Sequence, residues 1–317
     1  MTIAISGGNA TAQAGPRAID HRWGATLVAA PPDRSVSLSF TGIDAFLALG
    51  IVPTAYRAWY GGDARGLWPW SAARMAPDAT PVVLRGEIDA ETVARLEPDF
   101  VEATYSGISR AQYAALSRVA PVLPARTGSG DFGATWEEML TGIGEATGRA
   151  KKAEEVIADI EGRISSIRAA HRDWDGQTAI VALPSGPTIF GQSDPRMLLL
   201  TKLGFRLPET AGKLSLGAFS FKLDPELTAP LEADVVIWLD FGSGFDTVRD
   251  NPLRGGLRIV RDGREIAADQ TLSAALSYAS PLSIPYALDR LVPLLEVALD
   301  GDPETVVTGA REAGLVR

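Results

Sequence analysis

The sequence predicts an α/β protein made of two similar lobes joined by one long helix, and three observations predict it. Short apolar runs alternate with amphipathic segments along the chain, the pattern of strands interleaved with helices. The length, 317 residues, exceeds what one core usually supports. An internal echo also pairs Asp89-Ala-Glu-Thr-Val-Ala-Arg-Leu-Glu-Pro-Asp-Phe-Val101 with Asp224-Pro-Glu-Leu-Thr-Ala-Pro-Leu-Glu-Ala-Asp-Val-Val236, identical at seven of thirteen positions. Each copy reads as a short helix feeding an acidic turn and then an apolar strand. The other reading of the echo is that Asp-x-Glu-x-x-Ala-x-Leu is a common helix start, since Asp caps and Glu suits the positive end of the first turn. Duplicated lobes would face each other across a cleft, where small-molecule sites tend to form.

Strands are expected at 35–38, 100–103, 178–183 and 235–239, where apolar and β-branched residues run together between turn residues. Helices are expected at 43–49, 111–118, 136–147, 195–203 and about 284–299. Thr135 with Glu138 forms a capping box, Asp194-Pro195 places a cap before a first-turn proline, and Gly50, Gly148 and Gly204 stand where helices end. Residues 258–267 read as a hairpin turning on Asp262-Gly263. From Lys151 to Ala170, Ala153, Val156, Ile157, Ile160, Ile164 and Ile167 recur at helical spacing as one stripe on an otherwise polar helix. About 20 residues at 1.5 Å each span roughly 30 Å, enough to link two lobes, although a surface helix within one domain has the same pattern. The expected division is a flexible segment at 1–17, an N-terminal lobe at 18–148, a connecting helix at 149–171 and a C-terminal lobe at 172–317.

Composition narrows the function. A formal charge of -9 with no Lys/Arg-rich run argues against nucleic acid or an anionic membrane surface as the partner. No apolar stretch reaches the roughly 18 to 20 residues of a transmembrane helix. The first residues lack the basic and apolar regions of a secretory leader, so either the protein is cytoplasmic or the chain starts after a removed leader. Zero cysteines exclude disulfides and Cys-ligated zinc.

Motifs for chemistry are sparse. The histidines are His21 and His171, with no paired-His spacing, so no metal site or cofactor is expected. No Gly-x-Ser-x-Gly elbow is present, and His21 (in an N-terminal strand) and His171 (at a helix end) read as structural or solvated. Asp240-Phe241-Gly242 lacks every other kinase element, and Gly128-Ser-Gly-Asp-Phe-Gly133 lacks a Walker lysine and reads as a loop before Thr135. What remains is a set of loops at strand ends, rich in aromatics: Arg57-Ala-Trp59-Tyr60, Trp68-Pro-Trp70 and Tyr105-Ser-Gly107, then Phe190, Phe219, Phe221, Phe245 and Tyr278 in the second half. Aromatic side chains between glycines suit a bulky, partly apolar ligand, and Arg57 and Arg85 can serve an anionic one. Trp70, Phe219 and Phe241 have core packing as their alternative.

At this point the chain resembles a family, the ferric siderophore and cobalamin substrate-binding proteins of ABC importers. The likeness runs from about Ala18 to Leu299, in Asp33-Arg34-Ser-Val-Ser-Leu-Ser39 with Leu47-Ala-Leu-Gly50, and in Leu96-Glu-Pro-Asp99 leading to Ala103-Thr-Tyr-Ser-Gly107. It continues through Ser117-Arg-Val-Ala-Pro121, Gly148-Arg-Ala-Lys-Lys-Ala153, Asp194-Pro-Arg196 with Leu203-Gly204, and Ser283-Ile-Pro-Tyr-Ala287. The resemblance implies two Rossmann-like lobes joined by a single long interdomain helix, with a shallow ligand cleft between them. It implies a binding protein, not an enzyme, that captures an iron(III) siderophore and delivers it to an ABC transporter permease. Arg57, Trp59, Tyr60, Arg85, Tyr105, Phe190, Phe245 and Tyr278 are the expected ligand contacts. Glu91 and Glu226 match the positions where the family docks one glutamate per lobe on the permease; two solvated first-turn glutamates are the other reading. The implied location is extracytoplasmic, periplasmic or on the cell surface, as a monomer that meets the membrane only through a lipid anchor or the permease. The competing readings are a haem or cobalamin carrier, ligated by Tyr60, Tyr105 or Tyr278, and a sensory or enzymatic domain using the same fold.

Overall fold

A computed structural model describes residues 15–126, 128, 130, 132–185, 187–224, 226–227 and 229–315. Residues 1–14 of the expected flexible segment, two positions of the 128–133 loop, and Pro225 and Thr228 of the second echo copy lie outside the described residues. The chain divides into two compact units. One runs to Leu67 and takes in Ala72–Glu155; the other comprises Trp68–Ser71 and the chain from Val156 onward.

The first unit opens with an antiparallel pair, β1 (Arg17–His21) and β2 (Gly24–Val28). Its main sheet has five strands, β3 (Ser35–Ser37), β4 (Ala55–Arg57), β5 (Val82–Leu84), β6 (Phe100–Ala103) and β7 (Val122–Pro124). They lie in the order β5-β4-β3-β6-β7, all parallel. Parallel neighbours need crossovers, which the helices Gly42–Ala48, Ala90–Ala94 and Arg110–Leu116 supply. Val36, Leu38, Val93, Val101, Leu116 and Val122 form the core beneath them, each worth about 1.5–3 kcal/mol on full burial.

The second unit has β8 (Ala179–Leu183), β9 (Thr188–Phe190), β10 (Ser220–Lys222), β11 (Val235–Leu239) and β12 (Glu265–Ala268), in the order β10-β9-β8-β11-β12. This repeats the first sheet position for position, with one difference: β9 runs antiparallel to both β8 and β10. β11, Val-Val-Ile-Trp-Leu, is buried at every residue, as a strand covered on both faces requires.

The internal echo has a structural counterpart. Asp99 accepts hydrogen bonds from the backbone N–H groups of Asp33 and Arg34, just before β3. Asp234 does the same for the N–H and hydroxyl of Thr178, just before β8. Each aspartate therefore ties the start of one central strand to the start of its neighbour. Burial pushes the Asp234 carboxyl up, but the Thr178 donors and Arg258 outweigh it and hold the group below the usual carboxylate range. The two helix starts diverge. Asp89 caps Ala90–Ala94, its side chain accepting from Glu91 N–H at 3.0 Å, and Asp224 accepts from Glu226 N–H at 3.0 Å. The expected second helix is instead a 3₁₀ turn, Ala229–Leu231, because Pro230 stands where the first copy has Arg95 and cannot donate to a helix.

The expected hairpin at 258–267 is also corrected. Arg258–Arg261 is a helical turn with Ile259 buried, and β12 follows it and pairs in parallel with β11. The Asp262-Gly263 pair marks the turn, with Gly263 at φ +67°, but a four-residue window carries too little periodicity to tell helix from strand before it. The long mid-chain helix is present as Ala150–Ala170, and the boundary between the two units falls within it. No helix among the described residues is long and apolar enough to cross a membrane.

Candidate functional site

In an open parallel sheet, the chain leaves every strand at the same edge, and ligands gather where the strand order reverses. In the first unit that reversal lies between β3 and β6. β3 is followed by Ser39 and Phe40, β4 ends in Arg57 with Trp59 and Tyr60 beyond, and β6 is followed by Tyr105. The structure brings these side chains together around Phe40.

The Phe40 ring lies 5.3 Å from Trp59, 6.4 Å from Tyr105 and 6.0 Å from Phe132, centroid to centroid, and Trp59 meets Tyr60 edge to face at 4.7 Å. Phe132 is 53% exposed and closes the far side, 5.6 Å from Tyr105. Its ring sits so near Gly107, at φ +69°, that a Cβ there would lie 2.5 Å from it. Gly107 thus admits both the turn and the ring. Arg57 lies over Phe40, with its guanidinium carbon 4.1 Å from the ring centroid. It donates to the carbonyls of Ser106 at 3.3 Å and Gly86 at 3.1 Å, two acceptors for a group with five N–H donors. Burial lowers its pKa from the ordinary guanidinium value. The result is a half-buried cation set among exposed and half-buried aromatic faces, which suits a large ligand with flat or apolar surfaces and anionic oxygens.

Arg85 stands on the exposed flank and serves the neighbouring loop, donating to the Ala64 carbonyl at 2.9 Å. Asp63 shapes that loop by accepting from the N–H groups of Arg65 and Leu67 and from the Arg65 side chain. The Tyr56 hydroxyl donates to the Arg65 carbonyl beneath it.

In the second unit the expected contacts are dispersed. Phe190 is 6% exposed and belongs to β9, one register step from the Ala182–Ile189 pair, so it lies within the sheet. Arg196 covers it at 3.7 Å, paired with the buried Asp194 and bonded to Ser277, while Phe219 meets it edge on at 6.3 Å. Phe245 lies half-buried beyond the end of β11, at the start of the helical turn Asp246–Arg249. Tyr278 is 5% exposed and packs edge to face on Trp70 at 5.6 Å; Trp70 stacks on Trp68 and touches Tyr286. Glu91 and Glu226 are both exposed at the Asp-bonded turns described above, and Glu91 pairs with Arg95 one helical turn on.

Sequence reasoning missed Phe40 and undervalued Phe132. Phe40 lies just past the expected strand 35–38, and that position was its visible signal; Phe132 lies in the loop before Thr135, distant in sequence, and nothing local joins it to Phe40. Among the described residues no group of three or more His, Asp or Glu is placed to hold a metal ion. His21 accepts from Trp23 N–H and meets Tyr113 edge to face, and His171 stacks on Trp174 at 3.9 Å.

The family model described as periplasmic binding protein matches residues 40–271. The probable siderophore-binding lipoprotein YfiY of Bacillus subtilis is 28% identical over 243 residues, covering 74% of this chain and 71% of its own. Among solved structures, a periplasmic solute binding protein from Mycobacterium smegmatis is 30% identical with a TM-score of 0.78, over 90% of this chain and 99% of its own. The iron uptake substrate-binding protein PiaA of Streptococcus pneumoniae in complex with ferrichrome is 26% identical with a TM-score of 0.73, over 90% and 99%.

Proposed function

The chain belongs to the periplasmic binding protein family, and on that premise we propose that it captures an iron(III) siderophore outside the cytoplasm and passes it, chemically unchanged, to the permease of an ABC importer. The observation that carries the ligand class is the Phe40, Trp59, Tyr60, Tyr105 and Phe132 cluster with Arg57 over its centre. A ferric chelate is broad and rigid, with an organic periphery and metal-bound oxygens carrying negative charge. Aromatic faces contact the periphery at little entropic cost, and the guanidinium meets the oxygens. The names of YfiY and of the PiaA–ferrichrome complex support the same class.

In this reading Arg57, Trp59, Tyr60 and Tyr105 touch the ligand, and Arg85 braces the loop beside them. Phe190 and Tyr278 are buried and pack against the aromatic neighbours Phe219 and Trp70. The helix Ala150–Ala170 links an N-terminal lobe to a C-terminal one, and Glu91 and Glu226 present like charges to basic residues of the permease, which sets orientation more than affinity. The protein acts as a monomer that is held at the membrane by a lipid anchor or by the permease. Equilibrium titration with ferric chelates, followed by mass spectrometry of the recovered ligand, tests both capture and the absence of turnover. Saturable binding with the chelate recovered intact supports the reading, and a modified product or no binding overturns it.

A further inference from the structure

We propose that Glu102 is a positioning residue for the ligand site, holding the Phe40 and Tyr105 loops in register from inside the sheet. The inference rests on the reading of the Arg57 cluster as a ligand wall. Glu102 lies on β6 and is fully buried. Its carboxyl accepts from the Ser37 hydroxyl at 2.8 Å, the Ser39 hydroxyl at 2.6 Å and the Thr104 N–H at 2.7 Å. No Lys or Arg among the described residues pairs with it. Ser39 passes the connection on, because its oxygen accepts from the Tyr105 N–H at 2.7 Å, and the next residue, Phe40, donates its N–H to the Tyr105 carbonyl at 3.1 Å. The chain of bonds therefore runs from a buried acid to the backbone of two wall residues.

The duplicated sheet supplies an internal control. In the first unit Ser37 pairs with Glu102, and Glu102 with Leu123; at the same register steps of the second unit Val181 pairs with Ile237, and Ile237 with Ile266. Leu183 takes the place of Ser39 on that strand. The second unit fills these positions with apolar side chains, so the sheet itself does not require the acid. Burying a carboxyl is costly unless donors satisfy it, which makes its retention beside the cluster informative. Gly42 is matched to it: a Cβ there would overlap the Ser37 hydroxyl and lie 2.6 Å from Glu102 Oε2. Fixed loops bind a rigid chelate better than loops that must first be ordered.

The test compares Glu102→Ile, which installs the second unit's residue, with Ser39→Ala and Glu102→Gln. Tryptophan fluorescence titration with ferric catecholate, hydroxamate and citrate chelates gives affinity, and amide hydrogen exchange of Thr104 and Tyr105 without ligand gives loop order. Glu102→Ile and Ser39→Ala are expected to weaken binding about tenfold and to speed Tyr105 exchange by a similar factor. Glu102→Gln retains an acceptor for Ser39 and Thr104, and the Ser37 hydroxyl can turn to accept from the amide; both readouts are expected to return to within about threefold of the parent. A folded Glu102→Ile protein that binds within about twofold of the parent, or keeps the parent's Tyr105 exchange, overturns the proposal. If Glu102→Ile does not fold, Ser39→Ala decides by the same criteria. If the parent binds none of the chelates, the ligand reading fails, and the exchange rates alone decide whether Glu102 orders the loops.

Discussion

Arg57 places its guanidinium carbon 4.1 Å from the centroid of the Phe40 ring, joining the strand end of β4 to the residue that follows β3. Cation and ring reinforce each other, and both face the edge of the sheet where a ligand can reach them. Arg57→Gln removes the charge and keeps a polar side chain of similar reach. Affinity for an anionic ferric chelate is expected to fall by about 1.5–3 kcal/mol, the scale of a hydrogen bond to a charged group, and to lose most of its salt dependence. Titrations at two ionic strengths measure both.

Phe40→Ala removes the ring that Trp59, Tyr105, Phe132 and Arg57 all contact. The expected result is a loss of about 1–2 kcal/mol in chelate affinity, from one aromatic contact and its buried area, with a changed Trp59 emission even without ligand. Because the ring is half-buried, the melting temperature is expected to move little. Fluorescence titration and thermal unfolding separate the two effects.

Replacing both Glu91 and Glu226 by Ala tests delivery apart from capture. Both are exposed, and the only described ion pair at either is the surface contact of Glu91 with Arg95. Chelate affinity is expected to stay within about twofold, while stimulation of the reconstituted importer's ATPase drops at least about tenfold. Unchanged stimulation would contradict the docking role.

His21 gives a pH dependence with a defined sign. Burial lowers its pKa below 6.5, against the raising effects of Asp20 and the Ala25 backbone. Between that lowered value and 6.5, the unfolded chain binds the proton more readily than the folded one, so stability rises with pH. The contribution is complete above 6.5 and is lost as pH falls through the folded value. Asp234, also lowered, loses its contribution only in a more acid window, below about 3.8. His21→Asn keeps an acceptor near the Trp23 N–H and removes the titration; its melting temperature is expected to vary less than the parent's as pH falls below 6.5.

The sheets were legible because their central strands are short apolar runs bounded by turn residues, and 136–147 was legible at both ends through Thr135 and Gly148, the latter left-handed at φ +72°. The site was legible in outline only. Trp59, Tyr60 and Tyr105 stand in Gly-flanked loops, but only the parallel pairing of β3 with β4 and β6 brings Phe40 to Arg57 and Tyr105. Phe190 looked like a loop aromatic because nothing local reports that β9 runs against β8. Glu102 was visible as one acid in an apolar strand, yet its meaning comes from Ser37 and Ser39, which only the sheet register brings to it.

The most direct test of the account is intrinsic tryptophan fluorescence of the purified protein titrated with ferric catecholate, ferric hydroxamate, ferric citrate, haem and cobalamin, repeated with Trp59→Ala. Saturable quenching by a ferric chelate is expected, weakened by about tenfold in the variant. Quenching by haem or cobalamin alone, or equal binding of the chelate by Trp59→Ala, would contradict it.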